Sequence, residues 1–269
     1  MPLNNFVRAA ILVTMGVCVI VPFMLLLEWA FATSWIYPNI FPDFSGDKFA
    51  DYINSGRIKS PLINSLTLSA LVTLASMAVG LLPAKYFATR SFRGKTAIYI
   101  FLLIPAVTPG ICIIFGLMDV LIRLGIYRTY IATVLGQVAF TTPYFIFIMV
   151  PVFKRFETGL EDQSSILGVG KFSTLVNVTL PAVKTGLATS MMLTFVISWS
   201  MYLVTSICVP PGFSTMAMTL LPLLGTGYAT DSFVAITAVL FMIPALISLL
   251  FSTGMMGSDR AYSRRAKRR

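Results

Sequence analysis

Residues 9–31 read AAILVTMGVCVIVPFMLLLEWAF, with Glu28 as the one charge in the run. At 1.5 Å of rise per residue, an α-helix of that length crosses the roughly 30 Å hydrocarbon core of a bilayer. Arg8 stands just before it, as in a secretory leader. The apolar part is too long for a leader's core of about 7–15 residues, so it reads as a retained first span.

Working outward, apolar runs recur at about 62–84, 97–121, 130–152, 180–208 and 232–254. Each reaches the roughly 17–25 residues that a spanning helix needs, and the fifth is long enough to tilt or extend. The whole chain of 269 residues is 57% hydrophobic and 11% charged, with a mean hydropathy of +0.86. Soluble domains average about 45–50% apolar and about 25% charged residues. A water-exposed globule cannot hide that much apolar surface, whereas a lipid-facing exterior needs no such hiding. The ten-residue alternation of a membrane β-barrel is absent. The expected fold is all-α: one polytopic domain over 1–269 with about six transmembrane helices. Pro22, Pro105, Pro109, Pro143 and Pro244 fall inside the runs. Neighbouring helices can satisfy the carbonyls that they free, so these prolines predict kinks rather than interruptions.

Lys and Arg number 20 against 10 Asp and Glu, but they lie between and beyond the apolar runs, which makes them a topology signal and argues against nucleic acid. Lys85, Arg90, Arg93 and Lys95 share one connection without an acid. The tail carries Arg260, Arg264, Arg265, Lys267, Arg268 and Arg269 against Asp259 alone. Segment 32–61 instead sets Asp43, Asp47 and Asp51 against Lys48, Arg57 and Lys59. By the positive-inside rule the 85–95 connection and both termini are cytoplasmic. The basic tail also suits anionic lipid headgroups.

Three cysteines make no disulfide framework. The chain has no histidine at all, which removes histidine-based metal sites, general bases and most nucleophile–histidine pairs. Gly94-Lys95-Thr96 superficially matches the end of a phosphate-binding loop, but position 89 is Thr89 rather than glycine and no strand precedes it. It reads as a turn entering the third span.

The connection from about 153 to 179 differs from the others. A loop of this length is functional or disordered, and Leu160, Ile166, Leu167, Phe172, Leu175 and Val176 make it too apolar for disorder. Residues 157–167 read as a short helix. Leu160, Ser164 and Leu167 share a stripe at i, i+4 and i+7, so an apolar face holds a small residue at its middle. Gly168 follows where a left-handed residue ends a helix, and Pro181, after Leu180, stands where a new helix starts. A short amphipathic helix so bracketed is shaped to dock in a partner's groove.

These residues resemble the EAA loop of type I ABC importer permeases, closest to the polyamine, iron and phosphonate classes. Leu160-Glu161-Asp162-Gln163-Ser164-Ser165-Ile166-Leu167-Gly168 aligns without a gap, and Leu180-Pro181 follows at the expected distance. Acid, glycine and Leu-Pro match, while the alanine pair reads Gln163-Ser164. Asn64-Ser65-Leu66 opening the second span, the turn from Ala84 to Lys95, and Thr142-Pro143-Tyr144 in the fourth are similar too. The likeness covers about 60–255.

The resemblance implies a permease subunit of the bacterial inner membrane that moves a small polar solute inward. Its partners would be two ATPase subunits, a second permease, identical or homologous, and an extracytoplasmic solute-binding protein. The chain itself would not be an enzyme and would hold no cofactor, ATP and Mg being bound by the ATPases. Leu160, Glu161, Asp162, Ser164, Leu167, Gly168, Leu180 and Pro181 would form the docking element, with Glu161 accepting from a basic ATPase group.

Intramembrane charges are scarce. Glu28 and Asp119 sit near span ends, where they can snorkel to the interface. Segment 197–205, ISWSMYLVT, is similar to the stretch that faces the path in related permeases, so Trp199, Ser200 and Tyr202, with Asn64, are candidate path residues. Packing or interfacial roles compete for Trp199 and Tyr202. Many polyamine permeases carry an Asp pair where this chain has Ser200-Met201, and a cation path without carboxylates is costly to desolvate. A secondary transporter or channel is the alternative, but inverted repeats, broken helices around a midplane site and coupling acids are not evident. An intramembrane enzyme would lack acid–base groups.

Overall fold

A computed structural model describes residues 5–34, 43–44, 46–54, 56–108, 110–156, 159–224, 233–248 and 250. Glu157 and the basic tail lie outside them. The helices are α1 (Asn5–Phe31), α2 (Asp47–Asn54), α3 (Gly56–Thr89), α4 (Lys95–Val107), α5 (Gly110–Arg123), α6 (Tyr130–Lys154) and α7 (Gly159–Ile166). They continue with α8 (Lys171–Thr174), a π turn (Leu175–Thr179), α9 (Leu180–Ala182), α10 (Lys184–Ser200), α11 (Leu203–Cys208) and α12 (Met216–Leu224). A last apolar helix, α13, covers Phe233–Ser248. The strands β1 (Ala32–Ser34) and β2 (Asp43–Phe44) form one short antiparallel pair, so the all-α class holds.

Among the described residues, three helices are long and apolar enough to cross a membrane, within α1, α3 and α6, and up to five if each bent pair counts as one span. The chain divides into two compact units, one from 1–63 and 214–243, the other from 64–213 and 244–269. In the first, Ala30, Ile58, Ala235 and Ile236 form the core, with Phe31 stacked on Phe49 at 5.1 Å. The described side chains of α1 before Ala30 are all exposed or half-exposed.

In the second unit α6 is central. Phe145, Ile146, Met149 and Phe153 pack with Leu81, Ala84 and Phe87 of α3 and with Val183. Higher on α6, Ala132 and Phe140 meet Ile114 and Leu121 of α5 and Val204 and Cys208 of α11. Lipid is as apolar as leucine, so membrane helices gain little from burying apolar surface on one another; close approach and hydrogen bonds hold them. The buried face of α3 accordingly sets small residues, Ser65, Ser69, Thr73, Ser76 and Ala84, among Leu68, Val72, Leu81 and Phe87. Ser76 and Thr141 share a hydrogen bond of 2.7 Å between α3 and α6. At Gly186 of α10, an added Cβ would lie 3.0 Å from Val152 Cβ and closer still to its methyls, so glycine lets α10 lie against α6.

Several sequence boundaries move, and broken helices, not evident in the sequence, are present. Asn64-Ser65-Leu66 does not open a helix, because α3 already starts at Gly56. Hydropathy marks the stretch suited to lipid, while helical hydrogen bonding runs on into polar flanks. The 97–121 run is two helices, α4 and α5, at 99°. Thr108, placed before Pro109, is extended at φ −82° and ψ 137°, as the proline ring requires of its neighbour. Pro181 stands in the first turn of the short α9, as expected, but α9 continues a helical path already under way. The helical stretch begins at Lys171, and the Leu180 N–H closes the π turn onto the Leu175 carbonyl just before the proline. That wider turn accommodates a residue that cannot donate. The chain then bends by 83° around Val183 into α10.

Candidate functional site

The α7 helix forms where the sequence places it, with Glu161 and Asp162 in its first turn, where carboxylates complement the positive end of the helix dipole. Its other end closes as expected. Gly168 takes φ +75°, its N–H reaches the Ser165 carbonyl at 3.0 Å, and the Val169 N–H reaches Ser164 at 3.1 Å. These two bonds are the Schellman pattern and need the left-handed residue between them. Open space surrounds Gly168, so backbone conformation alone selects glycine there.

Glu161 turns inward. Lys85 Nζ, near the end of α3, donates to both its carboxylate oxygens at 2.6 and 2.7 Å, and the Thr179 hydroxyl donates to one of them. Burial by itself would push the Glu161 carboxyl up. The hydrogen bonds from Lys85 and Thr179, with the lysine's charge, outweigh it and hold the pKa below the ordinary carboxylate value. Ser164, expected at the centre of a docking face, is instead buried in its own chain, sharing a 2.8 Å hydrogen bond with Thr174. The stripe through Leu160, Ser164 and Leu167 is thus not one surface.

What faces outward is apolar. Ile166 is 84% exposed, Leu167 80% and Phe172 79%, with Leu160 and Val169 exposed beside them. Asp162 is exposed and lines an open cleft of about 930 Å³ with Glu161, Lys85, Arg90, Tyr86 and Phe92. Leu180 packs partly buried against the α3–α6 core, and Pro181 is exposed. Sequence reading treated Lys85 as a topology charge only. Its partner stands 76 positions away, and no local pattern could have paired them.

The second candidate region lies at the end of α10. Trp199 is buried and stacks on Phe195 at 6.0 Å. Ser200 is exposed, its hydroxyl on the Ile197 carbonyl at 3.2 Å. Met201 leaves the helix at φ −77° and ψ 95°, and a half-buried Tyr202 precedes α11. Asn64 is half-buried on α3, where its carbonyl accepts from Thr67 at 3.1 Å. Sequence reading missed Gln137 of α6, buried to 1% exposure, which bonds to Ser198 and Thr205 on the two sides of this interruption. Asp119 pairs with Arg123 at 2.8 Å, both exposed, as a snorkelling pair at a span end would. Among the described residues no cluster of His, Cys, Asp or Glu could hold a metal ion.

The sequence profile described as "Binding-protein-dependent transport system inner membrane component" matches residues 2–268. The chain is 25% identical over 170 residues to the inner membrane ABC transporter permease protein YcjP of Escherichia coli K12, covering 63% of this chain and 55% of that protein. It thus spans little more than half the length of that relative. It is 25% identical over 203 residues to the trehalose/maltose transport system permease protein MalG of Thermococcus litoralis, covering 71% of this chain and 70% of the other. The spermidine/putrescine permease protein PotC of Escherichia coli K12 is 19% identical over 250 residues, 93% of this chain and 94% of PotC. Among solved structures, a bacterial ABC transporter that imports alginate superimposes with a TM-score of 0.74 at 15% identity, over 93% of this chain and 95% of that one.

Proposed function

The chain belongs to the family of binding-protein-dependent transport system inner membrane components, and on that premise we propose that it is the permease subunit of an ATP-driven importer in a bacterial inner membrane. One observation carries this reading. A short helix is anchored to its own chain by Lys85–Glu161 and Ser164–Thr174 while Ile166, Leu167 and Phe172 stand out uncovered. An apolar knob on a rigid base is what a helix needs to seat in a partner's groove.

In this reading the knob docks on an ATPase subunit, with Leu160, Asp162, Gly168 and Pro181 shaping its rim, and Glu161 fixes it from behind rather than reaching across. ATP closure drives the knob, and the spans rock between outward and inward openings. Two ATPases hold the ATP and Mg, a second permease completes the pathway, and an extracytoplasmic binding protein delivers the cargo. The 85–95 connection and the docking loop lie on one side, the cytoplasmic side by their charge, and the contact between Lys85 and Glu161 supports their sharing it.

The test is a cross-link from Leu167→Cys in intact membranes holding the full chain and its cognate ATPase. Capture of the ATPase is expected, and it should disappear with Leu167→Cys combined with Phe172→Glu. Failure to capture any nucleotide-hydrolysing subunit would overturn the docking assignment.

A further inference from the structure

The interruption between α10 and α11 poses a physical problem that Gln137 answers. At membrane depth, non-helical backbone is tolerated only where protein covers it or where it lines a water-filled cavity. In secondary transporters, interrupted helices are where substrate sites are typically built. Here Ser200 is exposed, and Met201 and Tyr202 are half-exposed.

One side chain spans the gap. The Ser198 hydroxyl, in the last turn of α10, donates to Gln137 Oε1. Gln137 Nε2 donates to Thr205 Oγ1, in the first turn of α11, at 2.7 Å. Thr205 in turn donates to the Met201 carbonyl, and the Met201 N–H reaches the Ser198 carbonyl at 3.2 Å. The circuit closes around the interruption. Gln137, Ser198 and Thr205 are each at most 2% exposed, and Thr141 ties the same turn of α6 to Ser76 of α3. A leucine at position 137 would fill the space but leave Ser198 and Thr205 free to choose other partners.

We propose that Gln137 is a positioning residue for transport: by bonding both sides of the interruption it fixes Ser200-Met201-Tyr202 in one geometry as part of the lining of the solute path. The proposal rests on the permease reading for the existence of that path. Its test needs no ATPase, so the two stand or fall separately.

The experiment uses the full chain in native membranes with Cys18→Ser, Cys112→Ser and Cys208→Ala, a reporter at Met201→Cys, and a water-soluble methanethiosulfonate as the probe. Adding Gln137→Met should raise the labelling rate at the reporter about tenfold, the scale of lost buried hydrogen bonds. A control reporter at Ser91→Cys, outside the helices, should be unaffected. Combining Gln137→Met with Ser198→Ala and Thr205→Val should add nothing further, because all three act through the same bonds. Unchanged labelling at Met201→Cys, no labelling there at all, or an equal rise at both reporters would overturn the proposal. Should Gln137→Met fail to insert, the pair Ser198→Ala and Thr205→Val asks the same question with Gln137 in place. The same rise is expected, and its absence is equally fatal.

Discussion

Lys85 and Glu161, 76 positions apart, meet in a two-pronged ion pair at 2.6 and 2.7 Å, with only 25% and 19% of their side chains exposed. The pair joins the end of a long spanning helix to the middle of a surface loop. Thr179 adds a third tie from the far side of the loop. A carboxylate that sequence reading aims at a partner protein therefore belongs first to its own fold, where it sets the position of α7.

Removing the lysine should release the loop. Lys85→Met strands a partly desolvated carboxylate, at an expected cost of about 1–3 kcal/mol. Hydrogen exchange of the 159–166 amides should quicken accordingly. The reversal Lys85→Glu with Glu161→Lys should recover most of the protection, which a purely steric role for Lys85 would not allow.

The same tie sets a pH dependence. The Glu161 pKa is lowered in the folded chain, so its contribution is complete above the unfolded-state value and is lost as pH falls through the folded one. Amide protection of α7 should stay flat from neutrality down to about pH 5 and drop only below the ordinary carboxylate range. Glu161→Gln should start from lower protection and lack that acid step.

Gly186→Ala should be harmful although alanine is the better helix former. The new methyl would collide with Val152, and overpacking costs typically about 1–3 kcal/mol. Thermal unfolding in detergent should show the loss, and Val152→Ala on top of Gly186→Ala should restore it. A further loss in the double variant would mean that α10 and α6 do not meet there.

Leu167 and Ser164 should separate docking from folding. Leu167→Glu, on a side chain 80% exposed, should shift stability by no more than about 0.5 kcal/mol while co-purification with the ATPase collapses. Ser164→Val, at 7% exposure, should instead loosen α7 itself through the lost bond to Thr174. Equal ATPase binding by wild type and Leu167→Glu would sink the docking face.

The all-α membrane class was legible from composition and run length, and so was a helix across Gly159–Ile166 closed by Gly168, because both rest on local chemistry. The helix breaks were read less well. A hydropathy run counts apolar residues and cannot see that Thr108-Pro109 forces an extended residue, or that a π turn before Pro181 lets the helix start ten residues sooner, at Lys171. The inward duties of Glu161 and Ser164, and Gln137 altogether, escaped because their partners lie elsewhere in the chain. A lone glutamine in an apolar run gives no sign of what it will meet.

Several hydroxyls of the α3–α6–α10 interior have an acceptor on their own helix. Thr73 bonds the Ser69 carbonyl, Thr141 that of Gln137 and Thr194 that of Ser190, each one turn back on its own helix at 2.7–2.9 Å. When helices part at Thr73, Thr141 or Thr194, that hydroxyl keeps its local bond and its proton is not abandoned in hydrocarbon, where it would be expensive. Separation forfeits the Ser76–Thr141 bond and the dispersion contacts of the side chains packed around it. Hydroxyls of this kind can be parted and rejoined many times without stranding a proton, while the large side chains packed beside them set the cost of each opening.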